Sequence, residues 1–155
     1  MKREILFRGK LSHSDKWIEG NLLIANNDKP YIIPSAVLEP DGHHLRIDSD
    51  SAYWIIPETI GQFTGLTDKN GVKIFEGDII KYTEHSNYLL KSFIADVSYK
   101  DYLASFSYLK HGLDDNGFEQ PLIHFFNEVD EFEEDMLPYI EVIGNIHDNP
   151  ELINK

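Results

Sequence analysis

The chain has 155 residues, 41% of them hydrophobic and 12% aromatic, and a formal net charge of -13. Those apolar side chains are enough to pack one ordinary domain or two small ones sharing a core, which excludes wholesale disorder despite the charge. There are no cysteines, and disulfides, thiolate metal sites and cysteine nucleophiles are excluded with them.

The opening, Met1 to Arg8, is basic but has no apolar stretch behind it, and polar residues interrupt every later apolar run. Neither a signal peptide nor a membrane span is expected, and the expected location is the cytoplasm. Short runs rich in Ile, Val, Tyr, Phe and Trp, punctuated by Gly, Pro, Asn and Asp, are the pattern of strands and turns. Ile5–Lys10 and Trp17–Ile24 read as two strands joined by the turn Ser12-His13-Ser14-Asp15. Asn26 to Pro30 is a second turn, and Tyr31-Ile32-Ile33 a short strand closed by Pro34. Glu39–Ser51 is polar, contains Pro40-Asp41-Gly42 and reads mostly as loop. Ala52–Ile56 is an uninterrupted apolar run ending at Pro57 and is expected as a strand buried on both faces, with Trp54 in the core.

Thr59–Thr64 leads into Thr67-Asp68-Lys69-Asn70-Gly71-Val72, where Asn-Gly is the preferred pair for a type I′ hairpin turn. Val72–Phe75 and Asp78–Tyr82 continue as strands across Glu76-Gly77. Leu89–Ser98 and Tyr102–Tyr108 alternate as a hairpin about Tyr99-Lys100-Asp101, and Lys110–Gln120 is polar and expected as a loop. Phe125–Leu137 is the best amphipathic helix candidate, from the spacing of Phe125, Phe126, Val129, Phe132 and Met136. Tyr139–Ile146 is a strand, and Asn149-Pro150 predicts a short terminal helical turn.

Charge is unevenly placed. Residues 1–57 balance at -1 and residues 58–155 at -12, and all three arginines, Arg3, Arg8 and Arg46, lie in the first part. Bidentate phosphate recognition is arginine chemistry, so direct nucleic-acid binding is not expected. The densest cluster is Glu128, Asp130, Glu131, Glu133, Glu134 and Asp135, six acids within eight residues. A solvated acidic face is the favoured reading; a surface for a basic partner, or a mimic of DNA phosphates, is the functional one.

No catalytic, cofactor-binding or metal site is assigned. His43 and His44 are adjacent and would point to opposite faces of an extended chain, while His124 and His147 are isolated. Asp68-Lys69-Asn70-Gly71 places its glycine two positions too early for a calcium-binding loop, and Ile79 stands where that loop needs Glu. Neither a nucleophile elbow nor a glycine-rich phosphate loop is present.

Three blocks carry a family resemblance. Arg3–Lys10 with Trp17-Ile18-Glu19-Gly20, then Thr59–Ile80, then Val142–Leu152 together resemble YopX-like proteins of phages and prophages. The resemblance implies an SH3-like β-barrel in the second part, after a smaller strand-rich section, and it implies no activity and no catalytic residues. Our reading is a mainly β chain: residues 1–57 as the strand-rich section and 58–155 as the barrel with an acidic insertion. The leading functional expectation is a non-enzymatic accessory protein that binds a protein partner and self-associates. An acidic decoy of a DNA-binding protein and a small hydrolase or metal-dependent enzyme are the alternatives.

Overall fold

The computed structural model describes residues 4–34, 37–38, 45–46, 51–83, 92–111, 119–122 and 139–154. Two compact units, Met1–Phe63 and Thr64–Lys155, divide the chain. Among the described residues all regular structure is antiparallel strand and 3-10 turn, and no helix is long and apolar enough to cross a membrane.

The first unit is built from β1 (Phe7–Lys10), β2 (Trp17–Ile24), β3 (Pro30–Ile33) and β6 (Tyr53–Trp54), with a separate two-residue pair, β4 (Val37–Leu38) and β5 (Leu45–Arg46). β7 (Gly61–Thr67) begins beside β1, so this unit's strands run in the order β6-β3-β2-β1-β7. The β1–β2 hairpin sets Phe7 opposite Gly20 and Lys10 opposite Trp17, and β3 sets Ile32 opposite Leu22. A side-chain period of two then sends Phe7, Ile18, Leu22, Ile32 and Tyr53 to one face, where they pack with Leu11, Ile55 and Ile60. Ile32 and Ile55 are fully buried, each contributing about 1.5–3 kcal/mol. A bridge between Leu11 and Ile55 brings the end of β1 back to the end of β6, with Ile56 N–H donating to the Lys10 carbonyl at 2.9 Å. Gly20 is required by close approach: a Cβ there would collide with the Ile33 carbonyl and lie 2.8 Å from Pro34 Cα.

The run Ala52–Ile56 is not buried on both faces. It alternates, with Tyr53 and Ile55 facing the core and Trp54 turned out and 44% exposed. The short strand obeys the pleat, and the indole rests under the Lys29 ammonium, 4.4 Å from the ring centre.

In the second unit the remainder of β7 is followed by β8 (Lys73–Phe75) across the Asn70-Gly71 turn. Then come β9 (Asp78–Tyr82), β10 (Phe93–Lys100), β11 (Ser105–His111), β12 (Glu119–Pro121) and β13 (Ile140–Asn145). The last five form an antiparallel sheet in the order β12-β11-β10-β9-β13, with no pairing among the described residues that closes it. β11 and β12 take up both ends of the stretch expected as loop, since Lys110 and His111 pair with β10 and Glu119–Pro121 pair with β11. The core joins Ile74, Ile80, Tyr82, Phe93, Ala95, Val97, Tyr108, Leu122 and Ile140. Through it runs an aromatic stack, Tyr82 to Phe93 at 5.2 Å and Phe93 to Tyr108 at 5.8 Å between ring centres.

Candidate interaction surfaces

The outward face of the first unit's sheet carries a cross-strand row. Pairing sets Leu23 opposite Tyr31 and Tyr31 opposite Trp54, and directly opposite side chains lie on the same face. Leu23 is 43% exposed and Trp54 44%. At the far end of β2, Trp17 shares that face and meets the Arg8 guanidinium, 5.0 Å from the ring centre. Both tryptophans thus sit beside a cation, in the half of the chain that holds every arginine. Covering side chains of this size contributes about 1.5–3 kcal/mol each.

In the second unit the turn after β7 is organised by one carboxylate. Asp68 is 6% exposed. Its Oδ1 accepts from the N–H groups of Asn70 at 2.8 Å and Val72 at 2.9 Å, and its Oδ2 from Val142 N–H at 3.0 Å. Burial pushes the Asp68 pKa up, but the N–H groups of Val142, Val72 and Asn70, with the Asn70 side chain, outweigh it and hold the carboxyl below its ordinary value. The hairpin is therefore not the type I′ expected from Asn-Gly. Gly71 has φ 79° while Asn70 keeps a negative φ, and the Asp68 and Val72 backbones close a three-residue loop at 2.8 Å. Lys69 adds a backbone bond to the Ile140 carbonyl at 3.0 Å and an ion pair to Glu141 at 2.5 Å.

The corner Glu76-Gly77-Asp78 and the C-terminal turn form a second junction. Gly77 N–H donates to the Val97 carbonyl at 2.7 Å, and Ile146 N–H donates to the Gly77 carbonyl at 2.9 Å. Asn145 Oδ1 accepts from His147 and Asp148 N–H at 3.0 and 2.9 Å. Asn149 precedes the short turn Pro150–Leu152 as expected, but its side chain accepts from Asn145 N–H at 3.3 Å instead of capping the turn.

The six acids singled out in the sequence, Glu128, Asp130, Glu131, Glu133, Glu134 and Asp135, lie outside the described residues, as do His43, His44, His124 and the helix candidate Phe125–Leu137. The sequence reading missed a pair on the second sheet, His111 Nε2 and Asp96 Oδ1 at 2.5 Å. The sequence pattern ends the hairpin at Tyr108 and leaves His111 in an expected loop; it is the observed β10–β11 register that sets the two diagonally on one face. Ser107, fully buried, shares that face, but it lies four residues from His111 on one strand, about 13 Å by strand rise, too far for a nucleophile and its base. Among the described residues no group of three or more His, Cys, Asp or Glu side chains is placed to hold a metal ion.

The YopX protein family matches residues 6–154. The chain belongs to this family. A solved structure, that of protein EF1440 from Enterococcus faecalis, is similar over 99% of this chain and 100% of its own, at 26% identity and a TM-score of 0.59. No curated protein matches the chain. Two of the blocks that resemble the family meet in space: Thr59–Ile80 holds the Asp68 turn and the Gly77 corner, and Val142–Leu152 supplies Val142 and Ile146 to them.

Proposed function

We propose that this chain is a non-enzymatic accessory protein of phage or prophage origin, working in the host cytoplasm, that binds a protein partner through the outward face of its first sheet. The observation that carries the reading is the Leu23–Tyr31–Trp54 row. Three large side chains stand in register on one sheet face, two of them over two-fifths exposed. Interfaces are enriched in such aromatics, and a cation already stacked on Trp54 adds a charged anchor beside them. The second unit is, on this reading, an SH3-like barrel that serves as scaffold. Its strand order supports that, because β9 to β12 meander and β13 returns beside β9.

A second reading is supported by charge alone. The balance of -12 over residues 58–155 suits a decoy for a DNA-binding protein. One capture experiment from nuclease-treated host lysate separates the two. It compares the native chain, the pair Leu23→Ser with Trp54→Ala, and a chain with the six acids of 128–135 changed to Asn and Gln. The leading reading expects a salt-resistant partner lost only with the first variant. A partner released steeply by salt, kept by the first variant and lost by the second, would replace it with the decoy.

A further inference from the structure

Asparagine followed by glycine is the pair most prone to spontaneous deamidation, because a residue without Cβ leaves its backbone nitrogen open to the preceding side chain. Asn70 and Gly71 are both exposed, and open space surrounds the position where a Gly71 Cβ would stand. Nothing packed on Gly71 keeps water or base from it. Asp68 acts against the reaction at both reacting groups. The Gly71 N–H, the nucleophile once its proton is removed, donates to the Asp68 carbonyl at 2.9 Å. The Asn70 side-chain amide, whose carbonyl carbon would be attacked, donates to the Asp68 carboxylate, which also accepts from Asn70 N–H at 2.8 Å. The negative charge of that carboxylate further opposes loss of the Gly71 proton.

We infer that Asn70 is a site of slow self-modification in this chain, and that Asp68 sets its rate by holding nucleophile and electrophile in separate hydrogen bonds. Cyclisation needs the two in a near-attack arrangement, which those bonds deny it. In the reaction the Gly71 nitrogen, its proton taken by hydroxide, bonds to Asn70 Cγ. The side-chain nitrogen takes a proton from water and leaves as ammonia. Water then opens the cyclic imide, at Cγ to give aspartate or at the Asn70 backbone carbonyl to give isoaspartate. No step is an oxidation or a reduction. Either product brings a carboxylate to the turn where an amide donor stood, and isoaspartate also lengthens the loop by one backbone carbon. A second charge beside Asp68 disfavours its ionised form, and Asp68 is the acceptor for Val142 N–H at 3.0 Å. Conversion of Asn70 therefore loosens the start of β13 along with the turn. The reaction needs no partner and is independent of the sheet face proposed above.

The test uses an Asn116→Ser background, because Asn116-Gly117 is a second such pair, outside the described residues. In warm, mildly alkaline buffer the folded chain is expected to deamidate at residue 70 at least about tenfold more slowly than the same chain unfolded in guanidinium. Intact mass gives the extent, and peptide mapping separates aspartate from isoaspartate. Asp68→Ala, checked for native-like circular dichroism, should react about tenfold faster than the folded parent. Asn70→Asp stands in for the simpler product and needs no rate measurement. It should lower the urea midpoint and speed exchange of the Val142 amide several-fold. Equal rates in the folded and unfolded chain would overturn the inference, as would no product at residue 70 in either state. So would an Asp68→Ala chain that folds and reacts no faster than its parent. An Asn70→Asp chain with the native midpoint and native Val142 exchange would overturn the link to β13.

Discussion

Asp68→Ala tests the energetic role of the carboxylate. The native side chain accepts three backbone N–H bonds between 2.8 and 3.0 Å while almost fully buried. A hydrogen bond to a charged group contributes about 1.5–3 kcal/mol. The three do not add in full. The N–H groups of Asn70 and Val72 belong to exposed residues and regain water in the variant, and the carboxylate's own desolvation is relieved. The half-buried Val142 N–H is the one left without an acceptor. The expected loss is about 2–4 kcal/mol, measured by urea unfolding at neutral pH with the slope unchanged. A loss below about 1 kcal/mol would mean that the carboxylate is dispensable to the hairpin.

Acid supplies the second arm of the same test. The folded Asp68 pKa lies below its ordinary 3.8, so the unfolded chain takes up the proton first as pH falls. The contribution is therefore complete above the unfolded value and is lost as pH falls through the folded one. Asp68→Asn has no such proton to bind. The stability difference between native chain and variant should be constant near neutrality and shrink in acid, starting around the unfolded pKa. A difference that stays constant through strong acid would refute the assignment.

Gly20→Ala drives a Cβ into the Ile33 carbonyl and the Pro34 backbone. Backbone cannot yield without parting β2 from β3, so a loss of at least about 1–3 kcal/mol is expected in the denaturant midpoint, and an unchanged midpoint would contradict the packing. Ala104 sits in the left-handed region at φ 48°, so Ala104→Gly should raise stability by about 0.5–1 kcal/mol; a loss would show that the tip of the β10–β11 hairpin is not strained. Burial pushes the Tyr108 pKa up from 10.0 to about 12. Its contribution is whole below the unfolded tyrosine pKa and is lost as pH rises through the folded one, so Tyr108→Phe should flatten the alkaline fall in stability, as read by unfolding at a series of pH values.

Most strands were legible because period-two patterning and turn residues act locally. Trp17–Ile24 and Asp78–Tyr82 stand as strands with the ends the sequence suggests. The hairpin after Phe93 is shifted along its pattern: Tyr99 and Lys100, expected in the turn, pair with Phe106 and Ser105, while Tyr102 and Leu103, expected as strand, form the turn Asp101–Leu103. Trp54 was misplaced for a physical reason: an apolar run does not say which residues face the core, and that is decided by pairing with Tyr31. The Asn70-Gly71 turn was recognised as a turn but given the wrong geometry, because its type depends on what Asp68 can reach. The Leu23–Tyr31–Trp54 row was invisible for the same reason as Trp54. It exists only once three strands are in register, and composition carries no register.

The bond between Asp68 and Val142 spans 74 residues, and this explains where the family resemblance falls. Closing a long excursion carries an entropic cost that grows slowly with length, about 0.6 kcal/mol for each doubling. Between Thr83 and Pro138 that small cost applies to the connections and not to the strands, since β10, β11 and β12 pair there and Phe93, Ala95, Val97, Tyr108 and Leu122 enter the core. The two ends of the excursion are fastened by the Asp68 turn with Ile140 and Val142, and by the Gly77 corner with Ile146. Those contacts need an Asp at the turn, a Gly after Asn70 and a Gly at the corner, so the sequence around them is constrained on both sides of the excursion. The outward row on the first unit, by contrast with a connection, cannot move without shifting the register that also builds the core.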